Sequence, residues 1–231
     1  MGALYTFILK DINCSVFFET GTGSGASLNY AADHKQFQRL YSVEIHQGTA
    51  EKAALYFKND ARISVLNMES LAALRQVLPT IAPDERILFF LDAHFPGEAA
   101  ADFDGYKAPI PLETKLPLEQ ELELISQMRG NCRDVILIDD LRIYENGPFE
   151  SGNTPPSQEN LDPARKNIDF AARLFPDREL HRDYRNEGYL IIAPPPLQAG
   201  APGANAAAQE KSLLKTIGEK MSAFRTKKAG E

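Results

Sequence analysis

A glycine-rich segment near the start of the chain is the strongest indication of chemistry in the sequence. The apolar residues 16–18 lead to Glu19, and three glycines follow at alternate positions. Glycines at this spacing let the backbone turn tightly and let a ligand lie against it, because no Cβ stands in the way. A helix that begins directly afterwards would point its free N–H groups at the same place. The residues predicted to bind a ligand in this turn are Glu19, Gly21, Gly23, Ser24 and Gly25.

Polar and acidic residues also follow the later apolar runs of the chain. In an open parallel sheet, ligands bind outside the carboxyl ends of the strands. Polar residues at or just after the ends of five successive strands would therefore meet at one edge of the sheet. In chain order these residues are Glu19, Glu44, Asn67-Met68-Glu69, Asp92-Ala93-His94 and Asp139-Asp140.

The residue types in this pattern narrow the class of ligand. A dinucleotide-binding turn has the spacing G-x-G-x-x-G, whereas this chain has G-x-G-x-G with Glu19 two residues before it. The Glu19 carboxylate would repel a pyrophosphate but attract a cationic ammonium group. Glu44 suits both hydroxyls of a ribose as a bidentate acceptor, and Met68 would cover a flat base. The pattern predicts an adenosyl ligand without phosphate.

The elements that must position these residues alternate between strand-like and helix-like segments. The predicted strands are 15–19, 40–45, 63–66, 86–91 and 134–138, the predicted helices are 27–37, 49–57 and 70–78, and a closing hairpin spans 179–185 and 189–193. This alternation predicts an α/β fold, a Rossmann-like three-layer sandwich whose mostly parallel seven-stranded sheet ends in an antiparallel hairpin. Residues 95–117 and 142–163 fit no element and are predicted to be long loops that shape a binding pocket.

The rest of the chain predicts one domain with an appendage. Residues 1–193 form the predicted ligand-binding domain, 194–208 a Pro/Ala/Gly linker, and 209–231 a C-terminal amphipathic helix. The apolar stripe of that helix is Leu213, Leu214, Ile217, Met221 and Phe224. We expect this stripe to pack on the domain or to join two copies in a homo-oligomer.

Composition excludes several classes of function. The net charge of −7 argues against a nucleic-acid partner, because such a partner needs a concentrated basic surface. No apolar run approaches the roughly 20 residues that span a bilayer, and the N-terminus lacks the pattern of a secretory signal. We therefore expect a cytoplasmic protein without a membrane partner. Cys14 and Cys132 are expected to be reduced thiols.

In its motifs the chain resembles the class I S-adenosylmethionine-dependent methyltransferases over residues 15–193. The segments that carry the resemblance are Glu19-Thr20-Gly21-Thr22-Gly23-Ser24-Gly25, Tyr41-Ser42-Val43-Glu44, Asn67-Met68-Glu69, Leu91-Asp92-Ala93-His94 and the hairpin residues 187–192. The resemblance implies that Glu19 and the glycines hold the methionine end of the cofactor. It also implies that Glu44 binds the ribose and that Asn67, Met68 and Glu69 border the adenine.

Three aspartates resemble the site of a narrower group, the metal-dependent O-methyltransferases of the catechol type. That group carries an Asp after the fourth strand and Asp-Asn after the fifth, where this chain has Asp92 and Asp139-Asp140. Converging carboxylates raise one another's pKa unless a cation neutralises them, and oxygen ligands suit Mg²⁺ or Ca²⁺. The prediction is a metal held by Asp92, Asp139 and Asp140 that orients an acceptor hydroxyl and lowers its pKa. Asp92 and His94 are the predicted catalytic residues, with His94 as general base.

Several alternatives stay open. The Asp139-Asp140 pair could cap the next turn or pair with Arg142, a residue otherwise expected to be solvated, and Asp92 could contact the cofactor's ammonium without any metal. The leading function is O-methylation of a small-molecule or sugar hydroxyl. The alternatives are aminopropyl transfer to a polyamine on the same fold and a non-catalytic adenosyl-binding subunit.

Overall fold

A seven-stranded sheet organises the molecule. The computed structural model describes residues 12–94, 116–153 and 166–195, together with the single residues Leu4, Phe7, Leu9 and Thr114. The strands are β1 (Val16–Thr20), β2 (Arg39–Glu44), β3 (Ile63–Asn67), β4 (Ile87–Leu91), β5 (Val135–Ile138), β6 (Glu179–Asp183) and β7 (Tyr189–Ala193). Their order is β3-β2-β1-β4-β5-β7-β6. Strands β1 to β5 run parallel, and β7 is antiparallel to both β5 and β6. The predicted mostly parallel sheet with a closing hairpin is confirmed.

Helices cover both faces of this sheet. The α-helices of the described segments are α1 (Ala26–Asp33), α2 (Gln47–Phe57), α3 (Ser70–Val77), α4 (Leu118–Arg129) and α5 (Asp169–Leu174). Short 3₁₀ turns follow at Leu78–Thr80 and Leu141–Ile143. The first three helices were predicted to within a few residues, except that α1 ends four residues early. Helices α4 and α5 were not predicted. Helix α5 has only six residues, whereas α4 has apolar residues at helical spacing that could have indicated it.

Successive strand residues pack into two hydrophobic clusters, one on each face of the sheet. Phe18 of β1 packs with Leu122 of α4 on what we call the α3/α4 face, and Phe17 packs with Leu28 on the α1 face. Every residue of β1 and β4 is buried, as expected for central parallel strands that are covered on both sides. Because side chains alternate along a strand, Glu19 belongs to the α1 face and Thr20 to the α3/α4 face.

A buried ion pair fixes α4 at the edge of the sheet opposite the carboxyl ends of the parallel strands. Arg129 Nε donates to Asp134 Oδ2 (2.7 Å), and Arg129 Nη2 donates to the Glu85 carbonyl (2.6 Å). Asp134 Oδ1 in turn accepts from the backbone N–H of Ile87 at the start of β4 (2.8 Å). These bonds hold α4 against β4 and β5, so the first turns of α4 reach the carboxyl edge.

Some predictions fall on parts of the chain outside the described residues. These are most of the linker 194–208, the C-terminal helix 209–231, and much of the two loops predicted at 95–117 and 142–163. In the segments that the structure describes, no helix combines the length and the apolar composition needed to cross a membrane.

Candidate active site

The carboxyl ends of β1 and β4 lie side by side at the point where the strand order reverses. From this point the sheet continues through β2 and β3 on one side and through β5 on the other. Open α/β sheets bind ligands in the crevice at such a point. The hydrogen bonds between neighbouring strands continue one residue past the strand ends. The N–H of Asp92 donates to the Thr20 carbonyl (3.0 Å), and the N–H of Asp139 donates to the Leu91 carbonyl (3.1 Å). The residues that follow these strands therefore share one edge.

The glycines of the turn after β1 serve two different purposes. Gly21, Gly23 and Gly25 all have positive φ, at 85°, 49° and 76°. A Cβ on Gly21 would lie 2.5 Å from the Asp92 carbonyl oxygen, so the turn packs directly on the segment after β4. A Cβ on Gly23 would meet nothing within 4 Å, and Ser24 beside it is exposed. The backbone at Gly23 thus faces open space in which a ligand can lie.

Two hydroxyl groups hold the Glu19 carboxylate beside this turn. Ser42 Oγ donates to Glu19 Oε2 (2.5 Å), and Thr22 Oγ1 lies 2.6 Å from Ser42 Oγ. Glu19 is only 1% exposed. Burial raises the pKa of Glu19 to about 8, with a further contribution from the charge of Glu44, although the bond from Ser42 opposes the rise. A cation beside Glu19 would favour its charged form, so this position suits a ligand with an ammonium group.

Glu44 connects the glycine turn to the end of β2. Its Oε2 accepts from the backbone N–H of Gly23 (3.0 Å), and its Oε1 accepts from the backbone N–H of His46 (2.9 Å). Each carboxylate oxygen has a second lone pair, so both can also accept a hydroxyl group from a ligand. Glu44 therefore holds the turn and presents two acceptors beside it.

The residues after β3 have different environments. Asn67 Nδ2 donates to the carbonyls of Glu44 (2.9 Å) and Ile45 (3.1 Å), so its amide fixes the loop after β2. Met68 is half-buried against the α3/α4 face, and Glu69 is exposed just before α3. Of the three residues predicted to border an adenine, Asn67 therefore has a structural role in the loop after β2. The predicted contacts of Met68 and Glu69 with an adenine stay predictions.

His94 joins the ends of β4 and β5. Its Nε2 lies 2.6 Å from Asp140 Oδ2, and its Nδ1 lies 3.5 Å from Asp92 Oδ1. Burial lowers the pKa of the imidazole, but the carboxylates of Asp140, Asp92 and Asp139 outweigh burial and raise the pKa to about 9. His94 is therefore an imidazolium at neutral pH.

The three aspartates of this edge are not equivalent. Burial opposes ionisation of Asp140, but His94 outweighs it, so the pKa of Asp140 is lowered. Burial and the charge of Asp140 raise the pKa of Asp139 to about 7, and burial and Asp139 raise the pKa of Asp92 well above its usual value. Asp139 Oδ1 and Asp140 Oδ1 are buried without a hydrogen-bond partner. The cluster thus reduces its negative charge by binding protons and by contact with His94.

Asp140 has a left-handed backbone, which is uncommon for a residue other than glycine. Its φ of 50° and ψ of 49° turn the chain directly after β5, and its carboxylate meets His94 and forms no capping bond to the following 3₁₀ turn. Of the Asp139-Asp140 pair, Asp140 therefore does not cap the next turn with its side chain. Backbone strain of this kind is concentrated at functional sites in proteins.

The geometry does not support the predicted metal site. Among residues 12–94, 116–153 and 166–195, no three His, Cys, Asp or Glu side chains are arranged to hold a metal ion. The physical reason is that the His94 imidazolium lies against Asp140 and near Asp92, where it supplies the positive charge that a metal would bring. The metal prediction for Asp92, Asp139 and Asp140 is not supported.

Comparison with known proteins gives a result only at the level of structure. No family profile and no curated protein sequence matches the chain. The SAH-bound methyltransferase PaMTH1 of Podospora anserina is similar with a TM-score of 0.51 and 16% identity, over 81% of this chain and 74% of that one. A spermidine synthase in complex with the transition-state analogue AdoDATO has a TM-score of 0.50 and 12% identity, over 79% and 55% of the two chains. A Corynebacterium glutamicum protein has a TM-score of 0.50 and 12% identity, over 82% and 76%.

The sheet order, with an antiparallel β7 between β5 and β6, agrees with these likenesses. The chain has the fold of the class I methyltransferases. At 16% identity and below, the likeness concerns the fold. In this methyltransferase fold the glycine turn after β1 lies at the crevice between β1 and β4.

The hydroxyl groups that support Glu19 were not predicted from the sequence. Thr22 is part of the glycine motif, and Ser42 lies two residues before Glu44 on the same strand. A strand places residues two apart on the same face, so Ser42 could have been predicted to face the same site as Glu44. Its contact with Glu19 depends on the register of β1 and β2, in which Glu19 lies opposite Ser42.

The environment of one arginine also differs from the prediction. Arg142 is 6% exposed, so the expectation that it is solvated is wrong. Its guanidinium lies 3.7 Å from Glu187 Oε1 and 4.0 Å from Asp140 Oδ1, so it neighbours one of the two aspartates as the alternative proposed. The hairpin β6–β7 covers this turn, because the N–H of Leu141 donates to the carbonyl of Gly188 (2.9 Å) and the N–H of Arg142 to that of Glu187 (3.1 Å).

Proposed function

We propose that this protein is an S-adenosylmethionine-dependent methyltransferase that methylates a hydroxyl oxygen of a small-molecule or sugar acceptor. The observation that carries the proposal is the glycine turn at the β1/β4 crevice, flanked by the buried carboxylates of Glu19 and Glu44. The ammonium of the cofactor would lie beside Glu19, and its ribose hydroxyls would donate to Glu44. Gly21, Gly23, Ser24 and Gly25 would form the surface against which the methionine portion lies.

The acceptor chemistry follows from His94 and its two carboxylates. The bound cofactor supplies an electrophilic methyl group on a sulfonium sulfur. When His94 is neutral and its Nε2–H donates to Asp140, Nδ1 is the basic atom. Nδ1 would take the proton of the acceptor hydroxyl as its oxygen bonds the methyl carbon, while the carbon–sulfur bond breaks and its electrons stay on sulfur. Asp140 would stabilise the imidazolium that forms, and Asp92 would orient the acceptor hydroxyl.

Cofactor binding is the first test. Calorimetric titration with S-adenosylhomocysteine (SAH) should show binding to the wild type, and Glu44→Ala should weaken it on the order of tenfold or more through lost ribose hydrogen bonds. Glu51→Ala is the matched control, because Glu51 is exposed on α2. A wild type that binds neither SAH nor S-adenosylmethionine would contradict the proposal.

The transferred group is the second test. Incubation with S-adenosylmethionine and a panel of hydroxylated acceptors should increase the mass of one acceptor by a single methylene equivalent. The same reaction is run with EDTA and with EDTA followed by excess Mg²⁺. Unchanged activity is expected if His94 supplies the base, whereas loss and recovery would restore the predicted metal assistance.

Aminopropyl transfer is a second candidate, and one observation favours it. The carboxyl edge carries Asp92, Asp139 and Glu187 beyond the acids assigned to the cofactor, which suits an acceptor with several ammonium groups. Incubation with decarboxylated cofactor and a short diamine separates the two reactions, because the product gains an aminopropyl group and no methyl group.

A further inference from the structure

A chain of three buried side chains joins β1, β2 and the glycine turn. Ser42 Oγ donates to Glu19 Oε2 (2.5 Å), and Thr22 Oγ1 lies 2.6 Å from Ser42 Oγ. A serine hydroxyl carries one proton, and Glu19 accepts that proton here, so the Thr22 hydroxyl donates to Ser42. All three residues are at most 4% exposed. Both hydroxyl groups of this chain therefore direct their protons toward the Glu19 carboxylate.

The backbone of two parallel strands sets the geometry of this chain. Glu19 of β1 lies opposite Ser42 of β2 in the strand register, so both side chains lie on the same face of the sheet. Thr22 approaches from the glycine turn, because its N–H and that of Gly21 both donate to the carbonyl of Val43 (3.1 and 2.9 Å). The Thr22 hydroxyl thus meets Ser42 through a turn that is bound to β2.

Ser42 is a polar residue at a buried position of a largely apolar sheet face. Leu40, two residues earlier on β2, belongs to the hydrophobic cluster of the α1 face, and Ser42 is fully buried on that same face. A buried hydroxyl costs free energy unless it is hydrogen-bonded, and a polar residue in a core is expected where function requires it. The bond from Ser42 favours the charged form of Glu19, because it opposes the rise in the pKa of Glu19 that burial causes.

The bond from Ser42 leaves Glu19 able to bind an ammonium group at the same time. It uses Oε2, and a carboxylate has a second oxygen that can accept from another donor. A bond to one oxygen also limits rotation of the carboxylate, because the terminal torsion of a glutamate is otherwise broad. Two residues further along β2, Glu44 holds the backbone N–H of Gly23 (3.0 Å). Alternate residues of β2 thus fix the acid and the turn relative to each other.

We propose that Ser42 is a positioning residue for the cofactor, which together with Thr22 holds the Glu19 carboxylate in place for the ammonium group of the ligand. The inference rests on the proposed function, because Glu19 has this role only if the ligand is an adenosyl compound with an amino-acid end. Ser42 acts through Glu19 and does not itself contact the ligand. It favours adenosyl ligands that carry an ammonium group over those that lack one.

Titration with two ligands tests this role. SAH carries the ammonium group, whereas 5′-methylthioadenosine has the same adenosyl thioether without the amino-acid end. Ser42→Ala should weaken SAH binding about tenfold and methylthioadenosine binding less than about twofold, because only SAH uses Glu19. Thr22→Val keeps the side-chain size and should weaken SAH binding about threefold, whereas Thr22→Ser keeps the hydroxyl and should bind like the wild type. Ser64→Ala, at an exposed serine of β3, should change the affinity of neither ligand.

A double-mutant cycle with Glu19→Gln separates positioning from a general structural role. In the Glu19→Gln background, Ser42→Ala should weaken SAH binding by less than about twofold, because the acid that Ser42 positions is already absent. Additive losses, or equal losses for the two ligands, would overturn the positioning role. If the wild type binds SAH and Ser42→Ala binds it equally well, the positioning role is wrong and the methyltransferase proposal stands. If the wild type binds no adenosyl ligand, both proposals fail.

Discussion

At the scale of single residues, the acids of the carboxyl edge hold His94 as a cation. Its pKa of about 9 in the unliganded protein exceeds the usual value because Asp140, Asp92 and Asp139 outweigh burial. A histidine with this pKa is a strong base of which only a small fraction is neutral at pH 7. This combination determines how the proposed reaction should depend on pH.

We predict that methyl transfer accelerates with pH up to the pKa of His94. The base must be neutral, so the rate at saturating cofactor should rise about tenfold per pH unit and level off near pH 9. His94→Gln should remove this dependence together with most of the activity. A pH–rate profile of kcat/KM measures it, and a plateau already reached near pH 6.5 would show that His94 is not the base.

Glu19 gives a second prediction at this scale, for cofactor affinity. The pKa of Glu19 is about 8 in the folded protein, above the ordinary 4.5. Between these two pH values, Glu19 is protonated in the folded protein and ionised in the unfolded chain. The contribution of Glu19 to stability therefore falls as pH rises through this window. A cationic ligand reverses the shift and expels the proton, so S-adenosylmethionine affinity should increase from pH 6 to pH 8.

Calorimetry in two buffers of different ionisation enthalpy measures the protons released on binding. We expect a release that approaches one proton near pH 7 in the wild type and that Glu19→Gln reduces. Equal release by both proteins would assign the effect to another group.

At the scale of elements, two glycines of the turn after β1 differ in what surrounds them. Gly21 and Gly23 both have positive φ, but only Gly21 packs against neighbouring backbone. The two positions therefore form a matched pair for substitution by alanine.

We predict that Gly21→Ala lowers the free energy of unfolding more than Gly23→Ala does. The Cβ of Gly21→Ala would meet the Asp92 carbonyl oxygen at 2.5 Å, so the turn and the segment after β4 must move apart. We expect a loss of about 2–4 kcal/mol in the free energy of unfolding. Gly23→Ala meets no atom within 4 Å, so it should cost only about 1–2 kcal/mol of backbone strain.

The binding data should then differ from the stability data. The Cβ of Gly23→Ala enters the space in which the cofactor would lie, so SAH affinity should fall more than stability suggests. Urea unfolding and SAH titration of both variants measure the two quantities. Unchanged SAH affinity in Gly23→Ala would show that the ligand does not approach this backbone.

At the scale of the whole molecule, the strands and helices that the structure describes lie between residues 12 and 195. The homo-oligomer proposed through residues 209–231 is therefore open to a simple test. Truncation after Pro195 should leave the melting temperature and SAH affinity unchanged, and should convert an oligomer of the full chain to a monomer in light scattering. An oligomer that survives truncation would place the interface on the folded domain.

Much of this fold was accessible from the sequence, because strands and their ends are local features. The apolar runs of β1, β4 and β5 each stop at an acid, and the hairpin β6–β7 has a turn of polar residues and glycine. Helix α4 was not predicted, although its apolar residues Leu118, Leu122 and Ile125 recur at helical spacing. The sequence could not show that Glu121 of this helix is buried, because burial depends on what packs against it.

The sequence by itself determined the order of the strands along the chain, the glycine turn and the residues that stand at the strand ends. These follow from hydrophobic runs and from the conformational freedom of glycine, which act over a few neighbouring positions. Only the tertiary structure decided what those residues do to one another. His94 and Asp140 lie 46 positions apart, yet their contact of 2.6 Å puts an imidazolium among acids for which the sequence predicted a metal. Charges and pKa values depend on distance and burial in the folded chain, and neither can be read from spacing along it.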